Sequence, residues 1–192
     1  GEAVQVSEFL QAEGYACTLI KEGVLSRKEC DALDFGENPQ KVDYDKLHEN
    51  RYALLHKAYE RSSISQDPEY QAFLKDNNWW LQDYALFMAL KDFFGGVCWT
   101  EWPQDIRLHW GFALDYYREK LYFDIEFQQY LQFKFFQQWL KLKAYANDKG
   151  IQIIGDMPIY VSLDSSDVWA HPELFQLDEN NKPTAIAGCP PD

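Results

Sequence analysis

The stretch FKFFQQWLKLKAYANDKGIQIIGDMPIYV, Phe133 to Val161, changes its hydrophobic period at one glycine. Before Gly150, the apolar residues Tyr122, Ile125, Phe127, Leu131, Phe135, Trp139, Leu142 and Tyr145 recur at helical spacing. They cover much of the helix girth, so this helix needs neighbours on more than one side. Gly150 suits the left-handed position that ends a helix. The run IQIIGDMPIYV that follows is continuously apolar and of strand length, which predicts a buried parallel strand over about residues 151–156. A helix feeding a buried strand is the signature of an α/β protein. A lone strand has no ladder partner, and each buried, unpaired backbone group costs about 1–3 kcal/mol. No other stretch reads as a strand of that quality. The other strands are therefore expected outside this chain, which reads as an internal piece of a larger α/β protein. It starts without Met and stops at Cys189-Pro190-Pro191-Asp192 with no closing cap.

Upstream, the chain reads as mainly helical. Residues 1–42 form a loop-rich opening segment with a capping box at Ser26–Glu29 and a turn at GENPQ, Gly36 to Gln40. Leu47, Tyr52, Ala53, Leu55 and Tyr59 predict a helix from Asp43 to Arg61. Asp67-Pro68 supplies an N-cap and an N1 proline for a second helix through Tyr70, Phe73 and Leu74. A third runs from about Trp79 to Gly95-Gly96, WTEWPQ (Trp99 to Gln104) interrupts, and helix resumes in two pieces to Lys149. Residues 43–120 are read as one helical subdomain, and 121–192 as helix, strand and a long loop. In that loop Leu174–Leu177 and Thr184–Ala187, separated by DENNKP, predict a small hairpin. So long an excursion is uncommon unless it is functional.

The composition narrows the function classes. The 192 residues include 31 acidic and 18 basic side chains, a formal charge of −13, which disfavours nucleic acid as a partner. Both ends are acidic, while residues 51–150 nearly balance. Aromatic residues make up 17% of the chain, which calls for a packed core rather than disorder. No run approaches the ~18 apolar residues of a membrane helix, and GEAVQVSEFL lacks the features of a signal peptide. No membrane partner and a cytoplasmic location are expected. Cys17, Cys30, Cys98 and Cys189 are widely spaced and read as free thiols, with no metal set.

Candidate chemistry gathers after the predicted strand. Asp156 stands at its end, where α/β proteins place functional side chains. It reads equally as a carboxylate that binds sugar hydroxyls and as a cap of the next turn. Asp164 and Asp167, with Ser162, Ser165 and Ser166, read first as turn and N-cap chemistry. Trp169 reads as a stacking surface for substrate or as an anchor for its loop. Trp79, Trp80, Trp99 and Trp102 read first as core, with sugar stacking as the sharper alternative. Glycosidase chemistry needs two opposed carboxyl groups, usually from different strands, and one strand cannot supply both. His48, His56, His109 and His171 are isolated, and there is neither a Gly-rich phosphate loop nor a G-x-S-x-G element. No cofactor is implied.

The ordered series GDMPIYV, D-S-x-D-V-W (Asp164 to Trp169), P-E-L-F (Pro172 to Phe175) and A-G-x-P-P-D (Ala187 to Asp192) closely resembles the 4-α-glucanotransferases, the amylomaltases and disproportionating enzymes. The similarity extends upstream through FKFFQQWLKLKAYANDKGIQIIGD, the WPQ segment and NNWWLQDYALFMALKDFFGG. The resemblance implies part of a (β/α)8 TIM barrel with a large, mainly helical inserted subdomain. It implies a retaining transferase that moves α-1,4-glucan segments between maltooligosaccharides through a covalent glycosyl-enzyme intermediate. By the same resemblance Asp156 supports the donor-sugar site, Trp169 belongs to the following loop, and Pro190, Pro191 and Asp192 open a mobile loop over bound glucan. Cys189 stands where the family more often carries an apolar residue. The family's three catalytic carboxylates have no counterpart in this chain, so by itself it is expected to be inactive. A non-catalytic carbohydrate-binding or docking module is the alternative reading.

Overall fold

Four helix starts among the described residues are set by side chains that satisfy orphan backbone N–H groups. The computed structural model describes residues 15–34, 43–156, 160–185 and 188. Among these, α1 (Tyr15–Lys21) is followed by α2 (Arg27–Asp31), whose capping box is formed as expected between Ser26 and Glu29. The helix α3 (Tyr44–Arg61) starts where the Asp43 carboxylate accepts from Lys46 N–H at 3.2 Å. Asp67 does the same for α4 (Pro68–Asp76), accepting from Glu69 N–H at 2.8 Å, with Pro68 in the first turn. There follow α5 (Asn78–Phe93), α6 (Gln104–Arg107), α7 (Gly111–Lys120), the long α8 (Tyr122–Asp148) and α9 (Ser166–Ala170). Single 3-10 turns at Ile64–Gln66, Trp99–Glu101 and Pro172–Leu174 connect them. The GENPQ turn lies outside the described residues.

The chain divides into two units, each built from two separate stretches. The first takes the described residues up to Phe73 together with Tyr130–Ile154. Its core holds Leu19, Leu25, Leu54, Leu55, Ala58, Ile64, Tyr70, Tyr130 and Phe133. Aromatic rings close it: Tyr70 meets Phe133 edge-on at 5.4 Å, and Phe73 lies 5.4 Å from Phe136. One charge is buried there. Lys134 is 5% exposed and donates to both carboxylate oxygens of Glu22 at 2.7 and 2.8 Å. Arg61 holds the N-terminal elements by donating to the Val24 carbonyl and to Glu29.

The second unit takes Leu74–Gln129 with the described residues from Gly155 onward. Its core is a continuous cluster from α5 (Ala85, Leu86, Phe87, Ala89, Leu90), the WTEWP turn (Trp99, Trp102), α6 and α7 (Ile106, Ala113, Tyr117), the start of α8 (Ile125) and α9 (Val168, Trp169). Trp99 and Trp102 are buried, so for this pair the sugar-stacking alternative gives way to core packing.

The expected β structure falls in two stretches. The long helix ends as predicted, with Gly150 at φ +74° and Ile151 N–H donating back to the Ala146 carbonyl at 3.0 Å. Residues 151–156 beyond it pair with no other segment among the described residues and are exposed, Ile154 to 91%, and the strand expected there was to find its partners outside this chain. An apolar run can favour extended backbone, but a strand exists only through hydrogen bonds to a neighbour. Among the described residues no other segment offers them, and the only pairing is one isolated antiparallel bridge. That bridge, Leu177 to Pro183, is what the described residues form of the expected hairpin, whose last residues, 186 and 187, lie outside them. Asp178 clamps the turn by accepting from Asn180 and Lys182 N–H at 2.8 and 2.9 Å. The two bonds of the bridge run from Asp178 N–H to the Lys182 carbonyl and from Thr184 N–H to the Gln176 carbonyl, both at 2.8 Å, so Pro183 sits where no N–H is needed. The described chain is otherwise helical, as predicted.

Candidate functional site

The loop after Gly155 is tied to the helices of its own unit by one buried indole and one carboxylate. Ser165 caps α9, its hydroxyl accepting from Val168 N–H at 3.4 Å, and the single turn that follows points Trp169 into the core. Trp169 is 0% exposed and its Nε1–H donates to the Ile106 carbonyl at 3.2 Å. The rings of Phe87, Trp102 and His109 lie at 5.8, 5.7 and 4.0 Å. A ring so enclosed has no face left for a sugar. The expectation that Trp169 touches substrate is therefore corrected to its alternative, an anchor.

Asp164 makes the second tie. One oxygen accepts from the Lys91 ammonium at 2.7 Å and the other from Trp99 N–H at 3.3 Å, while Trp99 Nε1–H donates to the Leu163 carbonyl at 2.6 Å. Lys91 also donates to the carbonyls of Gly96 and Val97 at 2.7 and 2.8 Å. A single ammonium thus closes the end of α5 and fastens the loop. Further on, the backbone N–H groups of Lys182 and Asn180 hold the Asp178 carboxyl below its ordinary range.

His109 sits on the Trp169 ring with φ +55°, a left-handed backbone uncommon outside glycine. Its Nε2 is buried with no hydrogen-bond partner among the described residues, and burial pushes its pKa below the usual histidine value. His109, isolated in the sequence, is thus brought against a buried indole. The signal was not in the spacing, because Trp169 lies far away in sequence.

Beside this anchored loop, α5 and α9 border an open cleft of about 200 Å³, lined among others by Trp79, Trp80, Asp83, Tyr84, Asp167 and His171. Trp79 is 79% exposed. Of the four tryptophans considered for sugar contact upstream, this adjacent pair lines the cleft, while Trp99 and Trp102 are buried.

Comparison with known proteins bears directly on this unit and on the chain as a whole. The sequence profile of the 4-alpha-glucanotransferase family matches residues 3–192. The chain belongs to the 4-alpha-glucanotransferase family. It is 47% identical over 176 residues to the 4-alpha-glucanotransferase of Streptococcus pneumoniae serotype 4, covering 91% of this chain and 35% of that protein. With the 4-alpha-glucanotransferase of Thermus thermophilus it shares 45% identity over 156 residues, 79% of this chain and 31% of the relative. Among solved structures, it superposes on the amylomaltase from Streptococcus agalactiae in complex with acarbose, with a TM-score of 0.83 at 44% identity. That match covers 91% of this chain and 36% of the other. The chain therefore spans about a third of the length of these 4-alpha-glucanotransferases.

Of the substrate-binding residues that the family resemblance implied, Asp156 is exposed at the start of the second unit's loop stretch, and Trp169 is buried in that unit's core. Pro190, Pro191 and Asp192 lie outside the described residues. Lys91 and Asp83 were not singled out from the sequence. A lysine near a helix C-terminus reads as ordinary charge–dipole chemistry, and its reach to Asp164, 73 residues away, has no local signal.

Proposed function

We propose that the protein carrying this chain is a retaining 4-α-glucanotransferase that transfers α-1,4-glucan segments between maltooligosaccharides. The observation that carries this reading is the match, at 44% identity over 91% of this chain, to an amylomaltase bound to acarbose, a mimic of a maltooligosaccharide. In this proposal the fold is part of a (β/α)8 barrel with a helical insertion. The catalytic carboxylates belong to the two thirds of the relatives' length that the chain does not span.

The chemistry follows from two opposed carboxyl groups about 5–5.5 Å apart. One attacks the anomeric carbon and the glycosidic C–O bond breaks, while the other gives its proton to the departing 4-oxygen. The same group then takes the proton of an incoming 4-hydroxyl, which attacks the anomeric carbon and releases the enzyme carboxylate. Two inversions give retention. Transfer requires the acceptor sugar to outcompete water, so in this reading Pro190, Pro191 and Asp192 open a loop that covers bound glucan. Asp156 contributes hydrogen-bond acceptors at the donor-sugar site, held by a loop that Asp164 and Trp169 anchor. A cytoplasmic site of action belongs to the same proposal, and the Cys98 thiol, outside any disulfide, suits a reducing compartment. No described helix is long and apolar enough to cross a membrane.

Incubating the complete protein with maltotriose should yield glucose together with maltooligosaccharides longer than the substrate. Glucose and maltose alone would make it a hydrolase and overturn the transfer step. The 192-residue chain by itself should leave maltotriose unchanged.

A further inference from the structure

The cleft between α5 and α9 has the composition of a carbohydrate site. Trp79 presents a flat apolar face to solvent, while its neighbour is held in place: Trp80 Nε1–H donates to Asn77 Oδ1 at 3.1 Å, and its ring meets Tyr84 at 5.9 Å. Along α5 the cleft is therefore lined by a fixed aromatic pair and by an exposed indole. Asp83 and Asp167 face the same space, and neither carboxylate makes a hydrogen bond or ion pair among the described residues. His171 completes the rim, its Nδ1 placed 3.3 Å from Glu173 Oε1.

A ligand for this space must have an apolar face and several hydroxyl donors, and must carry no negative charge. Two carboxylates repel phosphates and nucleotides. No group of three acidic, histidine or cysteine side chains among the described residues is arranged to hold a metal ion. At about 200 Å³ the cleft is smaller than the ~300 Å³ at which pockets for drug-sized ligands begin, so it has room for a ring rather than for an oligosaccharide. A pyranose meets all of these conditions: its C–H face stacks on indole and its hydroxyls donate to carboxylates.

We propose that this cleft is an accessory glucan-binding site, in which one glucose ring of a long α-1,4-glucan stacks on Trp79 and donates hydroxyl hydrogen bonds to Asp83 and Asp167. The identity of the sugar rests on the glucanotransferase reading above. The site itself rests on the cleft, and it would favour long glucans over short ones, because only a long chain offers a ring to the accessory site while another is held elsewhere.

The test uses the complete protein and its Trp79→Ala and Asp83→Asn variants. Each is run in native gels containing soluble amylose and assayed with amylose and with maltotriose. Trp79 is exposed, so its removal should leave the unfolding midpoint unchanged. Trp79→Ala should weaken gel retardation and lower the amylose-to-maltotriose ratio of kcat/KM by about five- to tenfold, with a smaller drop for Asp83→Asn. Trp110→Ala, which removes an exposed tryptophan outside the cleft, should leave both readings unchanged. Amylose is uncharged, so wild-type retardation should survive added salt, and a wild type that amylose does not retard would overturn the proposal. Variants that match the wild type in both readings would overturn it too. If the wild type disproportionates maltotriose, that failure falls on the accessory site alone. If it does not, the glucanotransferase reading fails, and amylose retardation still tests the cleft.

Discussion

Lys91 and Asp164, 73 residues apart in sequence, meet at 2.7 Å, and through them the end of α5 and the loop before α9 become one structure. The ammonium is mostly shielded, with 16% of its side chain exposed, and it also holds the Gly96 and Val97 carbonyls. The pair therefore acts as a junction of five groups, because Asp164 adds Trp99 N–H on its other oxygen.

Lys91→Met should remove three hydrogen bonds at once and destabilise the chain by about 1–3 kcal/mol. Loosening should be local. Amide hydrogen exchange should accelerate over residues 96–99 and 163–169 and stay unchanged in α3. Uniform acceleration, or none, would show that the junction does not fasten the loop.

Trp169→Ala should destabilise by about 3–5 kcal/mol in urea unfolding, the range for removing a large buried aromatic. Trp169→Phe should cost less, because it keeps the contacts to Phe87 and Trp102 while losing the bond to Ile106. If both variants retained wild-type stability, Trp169 would not be an anchor.

The buried pair in the first unit should respond asymmetrically to mutation. Lys134 is almost enclosed, while its partner Glu22 keeps 36% of its side chain exposed. Glu22→Ala strands an ammonium away from water and should cost roughly 2 kcal/mol or more. Lys134→Met leaves a carboxylate that can rehydrate and a methionine of similar reach, so it should cost less. Equal losses in thermal unfolding would show that the pair's attraction outweighs desolvation.

Glu29 predicts a pH response. The Arg61 guanidinium, and then the Ser26 N–H and hydroxyl, lower its carboxyl from 4.5 to about 2. The folded value lies below the unfolded one, so the group stabilises the fold fully above about pH 4.5. That contribution is lost as pH falls through the folded value near 2. A carbon-detected titration should place the Glu29 midpoint near 2 in the wild type and higher in Arg61→Met, though still below the ordinary value because the Ser26 bonds remain. A wild-type midpoint at 4.5 would refute the interaction.

Much of the helical layer was legible in the sequence because its signals are local. Ser26 and Glu29, Asp43, Asp67 with Pro68, and Gly150 each act within a turn of their own position, and each ends or begins a helix where its chemistry requires. The site was legible as a region but not as an arrangement. Asp164 and Trp169 could be marked as members of an informative loop, yet capping, anchoring and substrate contact use the same residue types.

By itself, then, the sequence determined the helices, their ends and, through the order of its motifs, the family. Only the tertiary structure decided which tryptophans are core. Burial depends on what comes from elsewhere in the chain, and Trp169 is enclosed by Phe87, Trp102, Ile106 and His109. It decided as well that Trp79 is exposed beside a cleft while Trp99 and Trp102 are buried, and IQIIGD has no second backbone to bond among the described residues. Local pattern specifies how the backbone coils, and distant contacts specify which side chains remain available to a ligand.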